Sequence, residues 1–149
     1  MGSKFHLYLK SSIDHKAVQI ANTLGIPVVD LDSSGLVAEL LESDAPAVVW
    51  AMGNLTEAPM DPLWFLDFDI GAKTSHDPAQ YKSMDITGVL ADAFRVGTTI
   101  QVRDYTGDTP GTEVHGEVII NGVAASPSQP DRLSGVRLIN VQARAVRYS

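Results

Sequence analysis

The sequence predicts an α+β domain: a mostly antiparallel β-sheet with helices packed on one face, plus a β-hairpin. Three observations lead there. In Trp64-Phe65-Leu66-Asp67-Phe68-Asp69-Ile70, the apolar Trp64, Leu66, Phe68 and Ile70 alternate with Asp67 and Asp69, the period of a strand with one dry face. Asp77-Pro78 is a helix start, and Ile86, Val89, Leu90, Ala93 and Phe94 follow at helical spacing, with Tyr81 and Met84 extending the stripe. Asn121-Gly122 lies between two apolar extended runs, which is the strongest short hairpin signal because both turn positions favour positive φ.

The elements follow in order. Residues 4–10 alternate, with Phe5, Leu7 and Leu9 against His6, Tyr8 and Lys10, and predict a short strand. Ser11-Ser12 then caps a helix whose stripe is Ile13, Ala17, Ile20, Ala21 and Leu24, closed by Gly25 and Pro27. Val28 to Leu31 is a short extended piece. Residues 35–43 predict a short helix capped by Ser33 or Ser34 and broken by Asp44-Ala45-Pro46. Ala47 to Gly53 is apolar on both faces, so both sides should be covered. Asn54 to Pro62 is a polar connection. The aromatic-bearing strand ends at Gly71, and the helix after Asp77-Pro78 ends at Gly97.

Thr99 to Tyr105 is a strand with Ile100 and Val102 inward and Gln101 and Arg103 outward. Residues 105–112 carry two glycines without periodicity and predict a mobile loop. Val114 to Ile120 and Val123 to Ser126 form the hairpin, and Ser126 to Asp131 is a second loop. Leu133 to Tyr148 is a long strand with Ile139, Val141, Ala143 and Ala145 on one face and Asn140, Gln142 and Arg144 on the other. Val136 and Leu138 are out of phase, which calls for a bulge or for burial on both sides.

The totals bound the function. A chain of 149 residues is one domain, 1–149, with an N-terminal strand/helix region over 1–44 and a sheet-plus-helix core over 45–149. It has no cysteine, which excludes disulfides, thiolate metal sites and cysteine nucleophiles. The net charge is -7, and residues 1–75 hold 4 Lys/Arg against 10 Asp/Glu. Such a chain does not hold nucleic acid through a broad basic face. No apolar run is long enough to cross a bilayer, so no membrane partner is expected and the protein is read as soluble and made in the cytoplasm.

Few residues are spaced for chemistry. His6, His15, His76 and His115 are scattered, without partners at metal-ligand spacing. Asp67 and Asp69 share one strand face, about 7 Å apart; with His76 they are the basis for a metal-dependent hydrolase, against the plainer reading of a solvated sheet face. Gly107, Gly111 and Gly116 lack the helix start and lysine of a phosphate loop, and no Gly-x-Ser-x-Gly is present. Asp30, Asp32, Glu39, Glu42 and Asp44 form an acidic run that suits a solvated face. Trp50, Trp64 or Tyr105 on an exposed face would suit a small-molecule or carbohydrate-binding module. No catalytic residue, metal ligand or cofactor is assigned, and an interaction protein is favoured over an enzyme.

From Ala45 onward the order of elements resembles the tail terminator (tail completion) proteins of long-tailed bacteriophages. Ala45-Pro46-Ala47-Val48-Val49-Trp50 is similar to the strand after that family's first helix, and Leu63 to Lys73 to its long second strand. Asp77-Pro78 to Val96 resembles the helix across the sheet, and Gly135-Val136-Arg137-Leu138-Ile139-Asn140-Val141 the closing strand. The resemblance covers about two thirds of the chain and is one of pattern and element order. It implies a virion structural protein, assembled in the host cytoplasm, that forms a homohexameric ring at the head-proximal end of the tail. Its partners are further copies of itself, the tail tube protein and the head-tail connector protein, and DNA passes through without specific binding. The contact residues it implies are Arg137, Arg144, Arg147, Asp67, Asp69, Tyr105 and Asp108. In that picture the Arg-rich last strand meets acidic residues of the next subunit, and loops 54–62 and 106–113 face the tube or connector.

Overall fold

The computed structural model of the chain describes residues 4–32, 45–58, 62–75, 77, 79, 81–125 and 136–148. Its elements are α1 (Phe5–Leu24), β1 (Val28–Asp30), β2 (Ala47–Glu57), β3 (Leu63–Lys73), α2 (Tyr81–Ala93), β4 (Thr99–Val102), β5 (Gly116–Ala125) and β6 (Val136–Arg147). The expected helix at 35–43 lies outside the described residues. The strands form one curled six-stranded sheet in the order β1-β2-β3-β6-β5-β4. β1 runs parallel to β2 and every other pair is antiparallel, so the sheet is mixed and the fold is α+β. The last strand thus lies at the centre, between β3 and β5.

Both helices pack on the same face of the sheet and share one core with it. α1 contributes Phe5, Leu9, Ile13, Ala17 and Ala21, and α2 with the residue after it contributes Ile86, Leu90 and Phe94. The sheet contributes Val48 and Trp50 of β2, Trp64, Leu66, Phe68 and Ile70 of β3, and Ile139, Val141, Ala143 and Ala145 of β6. The alternations predicted for β3 and β6 are therefore as expected. Phe68 is central, meeting Trp50 and Phe94 edge to face. The opposite face carries a smaller apolar cluster of Val29, Ala47 and Val49, packed with Leu31, Val136 and Leu138. The two out-of-phase residues of β6 belong to it. The β3–β6 register is unbroken there, so burial on both sides accounts for them and a bulge does not.

Four expectations need correction. Residues 5–10 are helical: Leu9, Ile13 and Ala17 continue the spacing of Phe5 at every fourth position, while Leu7 is exposed. A six-residue window fits both periods, and burial against the sheet selects the helical one. Ser11 and Ser12 consequently sit inside α1 and cap nothing. Their hydroxyls donate to the Tyr8 carbonyl at 3.0 and 2.7 Å, and Ser12 Oγ accepts the Arg103 N–H at 3.0 Å. They dock the chain leaving β4 onto the helix.

The Asn121-Gly122 hairpin does not form. β5 passes through both residues as one strand, with a register shift between Ile120 and Gly122, and Gly122 is not among the positive-φ glycines. The long β6 offers ladder partners to both halves of β5, and that pairing outweighs the local turn preference. β2 likewise continues past Gly53 to Glu57, and β3 past Gly71 to Lys73, so half of the expected 54–62 connection is strand.

Finally, the buried face of α2 is rotated from the predicted stripe. Ser83, Ile86, Thr87 and Leu90 face the sheet, whereas Tyr81, Met84 and Val89 are exposed. Thr87 Oγ1 donates to the Ser83 carbonyl at 2.7 Å, so its hydroxyl is satisfied within the helix and the residue can be buried. The helix begins at Tyr81, and Asp77 caps it by reaching forward to accept the Ser83 and Lys82 N–H groups at 3.0 and 3.2 Å.

Candidate functional site

The face of the sheet opposite the helices has three zones along β3 and β6. The first is the small apolar cluster. The second is a polar network in the middle. Asn140 Nδ2 donates to Asp69 Oδ1 at 3.0 Å and to Asp67 Oδ2 at 3.4 Å, linking two aspartates that project from the same face. Asp67 Oδ1 also accepts the Asn54 N–H at 2.6 Å, where the β2–β3 register shifts between Met52 and Leu55. Gly53 makes this possible, since a side chain there would collide with the Asp67 carboxylate. Asp67 is thus the acceptor that holds a bulge in β2.

The third zone is an open concavity of ≈ 250 Å³ lined by Asn54, Thr56, Phe65, Leu66, Asp67, Asn121, Gln142 and Ala143. Phe65 is 48% exposed and stands directly across from Arg144, which is also exposed. An exposed aromatic ring across from an arginine, with amides near it on two long central strands, has the composition enriched where proteins meet. Sequence reasoning missed Phe65, although it has the same strand parity as Asp67 and Asp69. It missed Thr56 and Asn121 because the first was placed in a connection and the second in a turn.

The other assigned contact residues scatter. Arg137 and Arg147 share the parity of Ile139 and Ala145 and lie toward the helices, whereas Arg144 lies on the opposite face. The three arginines therefore do not form one patch, because a strand with unbroken register separates odd from even positions. Tyr105 stacks on His15 with ring centroids 3.9 Å apart, and its N–H donates to Ser11 Oγ, so it braces α1. Asp108 is exposed in the turn after β4. In that turn the Thr106 hydroxyl and N–H donate to Asp104 and hold its carboxyl below the usual carboxylate range.

Histidines brace α1 as well. His6 meets Trp64 edge to face at 4.8 Å, and His115 stacks on Tyr8 at 4.4 Å. His76 lies outside the described residues. Trp50 and Trp64 are buried in the helix-side core, so neither offers a ring to a ligand. Trp50 Nε1 donates to Asp14 Oδ1 at 2.9 Å. In the acidic run, Asp30 pairs with Lys10 at 2.9 Å, and that hydrogen bond raises the lysine pKa. Asp32 accepts the Met52 N–H at 3.3 Å. Glu39, Glu42 and Asp44 lie outside the described residues.

Among the described residues no three His, Asp or Glu side chains are grouped to hold a metal ion, and no helix is long and apolar enough to cross a membrane. What the outer face can do chemically is offer an aromatic ring, a guanidinium and amide hydrogen-bonding groups to another surface. No protein-family model matches the chain, and no curated protein does.

Proposed function

We propose that the chain is a structural subunit of a long-tailed bacteriophage virion, a tail terminator whose copies form a hexameric ring. The ring caps the tail tube, ends its polymerisation and joins it to the head-tail connector protein. DNA passes through it without specific binding, no cofactor takes part, and the protein is not an enzyme. The observation that supports this reading is the Phe65–Arg144 pair on the outer face of β3 and β6. Aromatic residues and arginine are enriched where proteins meet, and the sheet beneath them is long and well paired. The acidic total charge suits a lumen that must not retain DNA, because phosphate affinity comes chiefly from Lys and Arg. Light scattering after size exclusion, with negative-stain images, tests the reading on the purified protein with and without tail tube protein. Rings are the expected outcome, and a strict monomer under both conditions sinks the proposal.

A second reading rests on the concavity around Phe65, whose ring and amide lining suit a small polar ligand such as a carbohydrate. Titration followed by calorimetry separates the two, because a purely structural subunit gives no saturable heat with sugars.

A further inference from the structure

Among the described residues the sheet leaves two edge segments without a neighbouring strand, and they are complementary. β1 covers only the first part of β2: its ladder ends at Asp30 opposite Trp50, and Asp32 takes the Met52 N–H. β4 covers only the first part of β5, ending at Thr99 opposite Ile119, with Thr98 and Gly97 paired to Ile120. Among the described residues, no strand pairs with the outer side of Leu55–Glu57 in β2 or of Val123–Ala125 in β5. One stretch lies on each side of the sheet, at diagonally opposite corners.

Which backbone groups face outward follows from the ladders. The Ala58 N–H donates to the Leu63 carbonyl, so Thr56 also faces β3, and Leu55 and Glu57 face away. On the other side, Ile120 exchanges bonds with Thr98 and Gly97 and so faces β4. The extra residue at the Ile120/Gly122 shift turns the alternation over, so Gly122 and Ala124 face β6, and Val123 and Ala125 face away. Each edge therefore presents two residues with outward N–H and C=O groups.

β2 and β5 run in opposite directions, because three antiparallel pairings separate them. The β2 edge of one copy thus meets the β5 edge of another as an antiparallel pair. Leu55 falls opposite Ala125, Thr56 opposite Ala124 and Glu57 opposite Val123. The side chains agree with this register. Leu55 and Val123 are both half-buried against the helix-side core and lie diagonally across the joint, with the exposed Glu57 opposite Val123 on that face. Thr56 and Ala124 are exposed on the outer face. The two edges differ, so the contact is heterologous, and repetition generates a ring or a filament. Thr56 lies level with Arg144, and Ala124 with Asn140, four residues away along β6. Each joint therefore staggers the next copy by about 13 Å, which tilts the strands as closure into a ring demands.

We infer that copies of this chain join head to tail by antiparallel pairing of Leu55–Glu57 in β2 with Val123–Ala125 in β5 of the neighbour. The inference rests on the ring reading for the presence of a second copy and names the contact that builds the ring. Because the chain has no cysteine, a cross-link can be placed cleanly. Thr56 and Ala124 form a non-hydrogen-bonded pair in the proposed joint, where Cα atoms lie about 4.5 Å apart, within disulfide reach. The doubly substituted chain, Thr56→Cys with Ala124→Cys, should give a ladder of covalent multimers on oxidation. Each single substitution should give none. Val123→Pro gives a second readout: among the described residues no strand takes its outward N–H, so thermal unfolding of the isolated chain stays cooperative while the oligomer falls to monomer. Single-cysteine variants that dimerise as efficiently as the double variant overturn the inference in favour of a symmetric contact. An oligomeric wild type without the ladder, still oligomeric as Val123→Pro, overturns the edge pairing and leaves the ring reading standing. A wild type that is monomeric at every concentration and with tube protein overturns both.

Discussion

The two faces of the sheet are built from the same strands and obey different rules. On the helix side, β3 and β6 bury Trp64, Leu66, Phe68, Ile70, Ile139, Val141, Ala143 and Ala145 in one continuous core. On the other side, the neighbouring residues in the same strands pass from a small apolar cluster, through the Asp67–Asp69–Asn140 network, to the exposed Phe65–Arg144 pair. The first face fixes the fold and leaves little for a partner. The second holds a smaller buried cluster and the Asp67 bulge, and its exposed end is where partner chemistry can sit. Substitutions on the two faces should therefore separate stability from association.

The largest expected effect is on the helix side. Phe68 is fully buried and packs against both Trp50 and Phe94. Phe68→Ala should lower unfolding stability by about 3–5 kcal/mol, through lost burial and the cavity left behind. Urea denaturation measures it, and a loss under about 1 kcal/mol would mean that the core does not close around this ring.

Next comes a polar contact inside the same face. Asp14 accepts the indole N–H of the buried Trp50. Asp14→Ala leaves that donor unpaired, at a cost of about 1–3 kcal/mol. Trp64 supplies the internal control. Its Nε1 is buried without a hydrogen-bond partner among the described residues, so a Trp64→Phe change removes no such bond. Equal losses in Trp50→Phe and Trp64→Phe would show that the Asp14 contact contributes nothing.

How much of this was legible in the sequence differs between the same two faces. Alternation gave the buried residues from Trp64 to Ile70 in β3 and from Ile139 to Ala145 in β6, because a buried face leaves an unmistakable period. The helical nature of residues 5–10 was hidden, since Phe5 and Leu9 fit both periods and Leu7 happens to be an exposed apolar residue. The rotation of α2 was hidden too, because Ser83 and Thr87 are polar in composition yet buried. Asn121-Gly122 misled because turn preference is local, whereas the choice between turn and ladder depends on β6, which lies later in the chain. The outer face was legible in parity and illegible in partnership. Nothing in the spacing of Asp67 showed that it would hold the Asn54 N–H at a bulge.

A smaller effect belongs to the helix layer and depends on pH. Burial acts to raise the Asp77 pKa, but the bonds from Ser83, Lys82 and Thr74 together outweigh it and hold the carboxyl below its ordinary value of 3.8. A carboxyl depressed in the folded state stabilises it above that ordinary value, and the contribution fades as pH falls through the folded-state pKa. Asp77→Asn should therefore be less stable than wild type at neutral pH, with the gap closing in acid below 3.8. Urea midpoints across the acid range follow it, and a gap that widens toward low pH would contradict the assignment.

The smallest stability effect is the most informative about function. Phe65 is half exposed and its ring lies outside the helix-side core, so Phe65→Ala should change unfolding stability by no more than about 0.5 kcal/mol. Arg144→Ala should behave alike, since the guanidinium projects from the exposed face. If the outer face meets the tail tube, either change should weaken binding of purified tube protein at least about tenfold, because aromatic and arginine anchors carry most of the energy at such contacts. Size and unfolding midpoint should remain those of the wild type. The edge-pairing residues lie in β2 and β5, so a ring that survives Phe65→Ala while losing the tube would separate the contact between copies from the contact with the partner. A ring that falls apart in the same variant would place Phe65 between subunits, and the division of labour between edge and face would have to be redrawn.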